Sequence, residues 1–152
     1  MVELVKQRVL ILCTGNSARS QMAVGLLRAL AGERFEVSSA GSAPSELHPL
    51  AVRAMAERAI DISGQRSKHF EQFLAIEFDH VITVCDRAAE SCPAFPGPAH
   101  RWHWSFPDPA AAVGSKGERL EAFRRVRDAL GLRLERWLEQ ELDSSLPASI
   151  NE

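Results

Sequence analysis

The chain has 152 residues, 45% hydrophobic and 25% charged, which fits one compact globular domain and excludes a low-complexity or disordered polymer. Its 18 basic and 20 acidic residues leave a net charge of −2, against a non-specific binder of nucleic acid or membrane surfaces. No apolar run approaches the roughly 20 residues of a bilayer span, and the opening MVELVKQR lacks the order of a secretory signal. The expectation is a cytoplasmic protein with a single domain over 1–142 and a polar, frayed tail over 143–152.

In chain order, Arg8–Cys13 contains a short continuous apolar run, as in a central strand buried on both faces. Ser20–Leu30 follows as a helix, with Met22, Leu26, Leu27 and Leu30 along one side. Phe35–Ser39 alternates like a second strand; after a loop over 41–49, a helix runs from about Pro49 to Arg58. Ser67–Leu74 predicts a short helix opened by a serine cap, and the β-branched stretch His80–Cys85 a third buried strand. Pro93, Pro96 and Pro98 interrupt regular structure before a candidate edge strand at His100–Trp104. From about Gly117 to Leu142, residues Leu120, Phe123, Val126, Leu130, Leu134, Trp137 and Leu138 mark a long amphipathic helix, weakened at Gly131. Strands separated by helices favour a parallel sheet with right-handed crossovers and helices on both faces.

Ligand crevices in such sheets lie beyond the carboxyl ends of the strands, where both Cys13 and Cys85 fall. The segment Cys13-Thr14-Gly15-Asn16-Ser17-Ala18-Arg19-Ser20 joins the first strand to the first helix. Small residues there let successive backbone N–H groups face an anion, and Gly15 and Asn16 tolerate the left-handed backbone required. Arg19 closes the cradle with a bidentate fork, and the same donors, with a hydroxyl from Ser17 or Ser20, favour the reactive anionic form of the Cys13 sulfur.

Three cysteines are an odd number, which argues against a framework of structural disulfides. Cys85 and Cys92 would stand about 10 Å apart along a helix, whereas a disulfide spans about 4.4–6.8 Å. The segment between them must unwind, or be irregular, for the pair to bond. Three readings stay open at this point: a redox pair, a buried thiol with an idle one, and a zinc set with His100 and His103. Asp108, between two prolines, reads either as a proton donor on a loop or as a turn aspartate bonding its own backbone.

The run from Cys13 to Ala23 resembles the phosphate-binding loop of low-molecular-weight protein tyrosine phosphatases, and more closely that of the thioredoxin-coupled arsenate reductases built on their fold. The resemblance extends through Ser39-Ala40-Gly41, Asp61-Ile62-Ser63, Val84-Cys85, Cys92-Pro93, His103-Trp104, Asp108-Pro109-Ala110 and residues 123–128. It implies an α/β fold with a four-stranded parallel sheet, and a substrate-binding loop of Thr14, Gly15, Asn16, Ser17, Ala18, Arg19 and Ser20. Cys13 is then the nucleophile on arsenate or a phosphate-like oxyanion, and Asp108 the general acid. Cys85 and Cys92 carry electrons onward to reduced thioredoxin, with no bound cofactor and no metal. Gln65 matches a position that bonds the second cysteine.

Some of these reductases bind potassium through carboxylates, but Val24 and Lys68 stand here where the family often has glutamate and aspartate. The expectation is that Lys68 places its own charge near Asn16 in place of the ion. Ala18 replaces an additional cysteine of several relatives, and the chain has no tyrosine. The arginines of the last helix read as a solvated face, His48, His69 and His80 as surface or satisfied groups, and Trp104 as edge packing that borders the pocket mouth. The reading is an arsenate reductase with weak phosphatase side activity, because the loop distinguishes poorly between tetrahedral dianions of similar size. The alternatives are a low-molecular-weight phosphatase and a non-catalytic redox oxyanion sensor, which would leave Asp108 without a task.

Overall fold

The computed structural model describes residues 5–86, 88, 92 and 95–144, and the backbone alone for the last three of these. Its strands are β1 (Gln7–Cys13), β2 (Phe35–Gly41), β3 (His80–Thr83) and β4 (His100–His103). They form one parallel sheet in the order β2-β1-β3-β4. Helices α1 (Arg19–Ala31), α2 (Pro49–Ala56) and α3 (Lys116–Ser144) pack on it and on one another. The α/β architecture expected from the alternating pattern is the one observed.

Burial explains the order. Val9 to Cys13 are all buried, so the most apolar strand takes the centre. Exposed residues concentrate on β4 at the edge. From α3, Leu120, Phe123, Val126, Leu130, Leu134 and Trp137 all enter the core, and the helix passes Gly131 without interruption. Trp137 stands at its far end against Phe35, His80, Trp102 and Trp104, with ring centroids 5.0–6.3 Å away. Among the described residues no helix is long and apolar enough to cross a membrane.

Three local expectations need correction. The short helix expected over Ser67–Leu74 is a 3₁₀ turn over Phe70–Phe73, capped by the His69 ring rather than by serine, because Ser67 spends its hydroxyl on the Asn16 carbonyl. The final helix continues through Ser144, two residues beyond the expected boundary; residues 145–152 of the tail lie outside the described ones. The arginines of α3 are not all solvated. Arg127 is buried and donates to the Ala54 carbonyl and to Glu57 Oε1, both at 2.8 Å. Arg124 grips the same Glu57 carboxylate at 2.7 Å, and the two guanidiniums hold its pKa down at about 2. A periodic pattern reports which positions face inward, but not that a long cationic stem at such a position finds a carboxylate on α2's end.

The histidines are satisfied, as expected. His48 caps α2 by accepting from Leu50 N at 3.1 Å. Buried His80 accepts from the Trp102 indole at 3.2 Å, which leaves its Nε2 hydrogen for Gln7 at 3.3 Å; burial pushes its pKa below the ordinary value.

The Arg127 contact generates a prediction. Arg127→Ala should cost about 2–3 kcal/mol, from a lost buried charge-assisted bond and lost packing, whereas loss of an exposed pair costs at most about 1 kcal/mol. Urea denaturation checks it: the midpoint should fall with the slope unchanged, and Arg125→Ala should leave the midpoint in place.

Candidate active site

β1 delivers Cys13 at the carboxyl edge of the sheet, and residues 14–18 turn back before α1 begins. At the corner, Asn16 adopts φ 48°, the left-handed conformation expected of this residue type. The carbonyls of the turn are engaged by the surrounding structure. Thr14 O accepts from Ala43 N at 3.0 Å, Gly15 O from Ser45 N at 2.9 Å and Ser17 O from His48 N at 2.9 Å. Asn16 O accepts from Gln21 Nε2 and Ser67 Oγ, and Ala18 O from Met22 N. The carbonyls of the turn are thus taken up by neighbouring donors, and α1 opens at Ala18 without a side-chain cap, which leaves helix-start N–H groups for a ligand to satisfy.

The second strand seals this arrangement. Gly41 pairs with Cys13 in register, and a β-carbon on Gly41 would overlap the carbonyl oxygens of Cys13 and Thr14. Glycine is required there by close approach rather than by backbone conformation.

Cys13, the candidate nucleophile, ends a chain of hydrogen bonds that begins at Lys68. Lys68 N donates to Asn16 Oδ1 at 2.8 Å, which fixes the amide so that its Nδ2 donates to Ser20 Oγ, also at 2.8 Å. Ser20 Oγ lies 2.9 Å from Cys13 Sγ; against a thiol either atom can donate, and against a thiolate only the Ser20 hydroxyl can. Cys13, Asn16 and Ser20 are all buried. Such a bond supports a sulfur that must carry charge to react.

A cavity of about 490 Å³ opens above the loop, lined by Cys13, Arg19, Ser45, Cys85, Asp86 and Asp108 among others. Arg19 Nη1 donates to the Phe106 carbonyl at 3.0 Å, tying the start of α1 to the segment that carries Asp108. Asp108 makes the turn contact, with Oδ1 accepting from Ala110 N at 3.0 Å, and it also lines the cavity. Cys85 is buried at the same cavity, with Sγ 3.3 Å from Thr14 Oγ1 and 3.4 Å from Ala88 N. Cys92 is half-buried and accepts from Arg101 Nη1 at 3.2 Å. The residues between Cys85 and Cys92, other than Asp86 and Ala88, lie outside the described ones.

The auxiliary residues sit differently from expectation. Gln65 Nε2 donates to the carbonyl and side-chain oxygens of Gln21, at 3.0 and 2.7 Å, which ties it to α1 rather than to Cys85. Lys68 reaches Asn16 with its main-chain N–H, while its ammonium donates to Arg66 O at 2.8 Å, so the expected ammonium beside Asn16 is replaced by a backbone contact. Burial and the nearby Arg28 charge push the Lys68 pKa below its ordinary value. Trp104 is buried against Trp137 with Arg133 over its ring, and it does not line the cavity. Among the described residues no three His, Cys, Asp or Glu groups converge as metal ligands. Sequence reasoning passed over Ser45, Ser67 and Asp86. Only adjacency to Cys85 pointed to Asp86, and the two serines belong to segments that carry no motif of their own.

The arrangement is an anion cradle with one supported thiol, a second thiol and two carboxylates. Its comparisons agree with that chemistry. An arsenate reductase of Halalkalibacterium halodurans is 46% identical over 134 residues, covering 88% of this chain and 96% of that protein. A solved structure described as an arsenate reductase in the phosphate binding state superposes with a TM-score of 0.71 at 34% identity, covering 88% of this chain and 98% of that one. The Corynebacterium glutamicum thioredoxin-dependent arsenate reductase superposes with a TM-score of 0.65 at 30% identity, over 93% of this chain and 65% of that one. The model of the low molecular weight phosphotyrosine protein phosphatase family matches residues 8–148, and the chain belongs to that family, alongside its arsenate reductases.

Proposed function

We propose that the protein is a cytoplasmic arsenate reductase, using Cys13, Cys85 and Cys92 as a thiol relay re-reduced by thioredoxin. The observation that carries this reading is a second buried thiol, Cys85, in the oxyanion cavity beside Cys13. Ester hydrolysis needs one nucleophile; removing an oxygen from arsenate needs two electrons, hence a second sulfur within reach.

The reaction begins with arsenate in the cradle of residues 14–20, held by backbone N–H groups and the Arg19 fork. The Cys13 thiolate attacks arsenic, an As–O bond breaks, and Asp108 supplies the proton that lets the oxygen depart as water. Cys85 then attacks the Cys13 sulfur. The electron pair of the S–As bond stays on arsenic, which leaves as arsenite, and a Cys13–Cys85 disulfide forms. Cys92 attacks the Cys85 sulfur, freeing Cys13 and leaving a Cys85–Cys92 disulfide, which the dithiol of thioredoxin reduces by exchange. Two thiols are oxidised for each arsenic reduced, so the electrons balance. No bound cofactor is needed. Lys68 and Gln65 hold Asn16 and Gln21, and so support the loop without touching the guest.

The same cradle supports slow hydrolysis of aryl phosphates, with Cys13 attacking phosphorus and Asp108 protonating the leaving alcohol. Arsenate-dependent NADPH oxidation with thioredoxin and its reductase, run beside aryl phosphate hydrolysis, tests the assignment. Phosphatase turnover without arsenate-dependent oxidation would return the protein to ester hydrolysis.

Two outcomes are expected. Cys92→Ser should complete about one turnover and stall with Cys13 bonded to Cys85; peptide mapping after arsenate treatment checks the bridge, and sustained turnover would defeat the relay. Asp108→Asn should lower kcat for both arsenate and aryl phosphate by about 10²–10⁴-fold while phosphate binding persists; steady-state kinetics and a phosphate titration separate the two effects.

A further inference from the structure

Two carboxylates line the oxyanion cavity, and the reaction above uses one. Asp86 is the other. Its Oδ1 lies 2.8 Å from His103 Nε2, and His103 Nδ1 lies 2.7 Å from Thr83 Oγ1. The register places Thr83 and His103 side by side at the ends of β3 and β4, so the ring is braced by the sheet itself. The one Thr83 hydroxyl hydrogen has both the Trp102 carbonyl, at 3.4 Å, and His103 Nδ1 within reach. An ionised Asp86 can only accept, so the 2.8 Å contact puts a hydrogen on Nε2 and His103 donates to Asp86. The His103 bond above all, helped by the Ser105 hydroxyl and the Arg19 charge, holds Asp86 below its ordinary value, so it stays ionised.

An ionised carboxylate only accepts hydrogen bonds. Beside a doubly negative guest it repels, unless the guest has a hydrogen to give. Hydrogen arsenate and hydrogen phosphate each carry a hydroxyl at neutral pH. Sulfate has the same tetrahedral shape and the same charge but carries none. Of the other polar groups lining the cavity, Arg19 and the hydroxyls of Thr14, Ser17 and Ser45 serve all three anions alike, and Asp108, as the proton donor, offers its hydrogen to each.

We propose that Asp86, positioned by His103, is a specificity-determining residue that accepts the hydroxyl of a protonated tetrahedral oxyanion and so rejects sulfate. The proposal rests on the oxyanion-cavity reading of the site, but not on the electron relay. It separates the task of the two acids: Asp108 gives a proton to the departing oxygen, and Asp86 takes a hydrogen bond from one that remains.

The test reads binding rather than turnover. Protection of Cys13 from iodoacetamide, followed on its own peptide by mass spectrometry, gives apparent affinities for inorganic phosphate and sulfate at neutral pH. The wild-type protein should favour phosphate, and Asp86→Asn should lower the phosphate-to-sulfate ratio by about tenfold or more, by gaining sulfate and weakening phosphate. Asp86→Glu, which keeps the acceptor, should keep the preference, and His103→Ala should lower it partway. A general loosening of the site would weaken both anions together and leave the ratio alone. An unchanged ratio in Asp86→Asn, or a wild-type protein that binds both anions equally, overturns the proposal. Failure of phosphate to protect Cys13 in any variant would instead overturn the oxyanion cavity itself, and a phosphate preference without arsenate reduction would overturn only the relay.

Discussion

A loop that offers N–H groups to an anion has to put its carbonyls somewhere, and this requirement organises the carboxyl edge of the sheet. Asn16 meets it by turning the chain through the left-handed region while buried, where an unsatisfied polar atom would be expensive. Its carbonyl, amide oxygen and amide nitrogen are all bonded, to Gln21 and Ser67, to Lys68 and to Ser20. Segments far apart in sequence, around 20 and around 67, are brought together by one side chain. The Ser20–Cys13 contact is the last link of that chain, so the hydroxyl that meets the sulfur is placed by a corner residue.

Around the cradle the charges are distributed by what each is bonded to. Arg19 rests on the Phe106 carbonyl, a neutral partner, so its charge is not spent on a carboxylate there. Asp86 is held by an imidazole, whereas Asp108 accepts from the backbone amide of Ala110. Two carboxylates in one cavity therefore have different partners, the arrangement by which one cavity can divide acceptance from donation. Of the sulfurs, Cys13 and Cys85 line the cavity, and Cys92 accepts from Arg101.

The fold was legible because its signals are strong ones. An unbroken apolar run at Val9–Leu12 belongs in a sheet centre, and the spacing from Leu120 to Trp137 admits only one face of a long helix. The loop from Cys13 to Ser20 was legible because its residue types carry their own geometry, glycine and asparagine for the turn, arginine for the fork. What escaped were contacts made across the fold. Arg127 looks like any helix arginine until α2 brings Glu57 to it, and Gln65 looks like a partner for Cys85 until α1 supplies Gln21. Lys68 was placed near the right residue with the wrong atom, since a sequence names side chains but is silent about which main-chain N–H lies within reach. Asp86 carried no pattern at all; its meaning comes from His103, seventeen residues on and one strand over.

The outer wall of the cradle is built from main-chain atoms. Ala43, Ser45 and His48 serve it through N–H groups, and Pro44 and Pro49, which have none to offer, occupy positions between and after these donors. Such a wall is nearly blind to vocabulary wherever a side chain has no second task, as at Ala43, provided the imino acid never migrates onto a donating position; Ser45, which lines the cavity, and His48, which caps α2, carry side-chain duties as well. Drift in this stretch should therefore be read first for where prolines fall, and for chemistry only at those two residues.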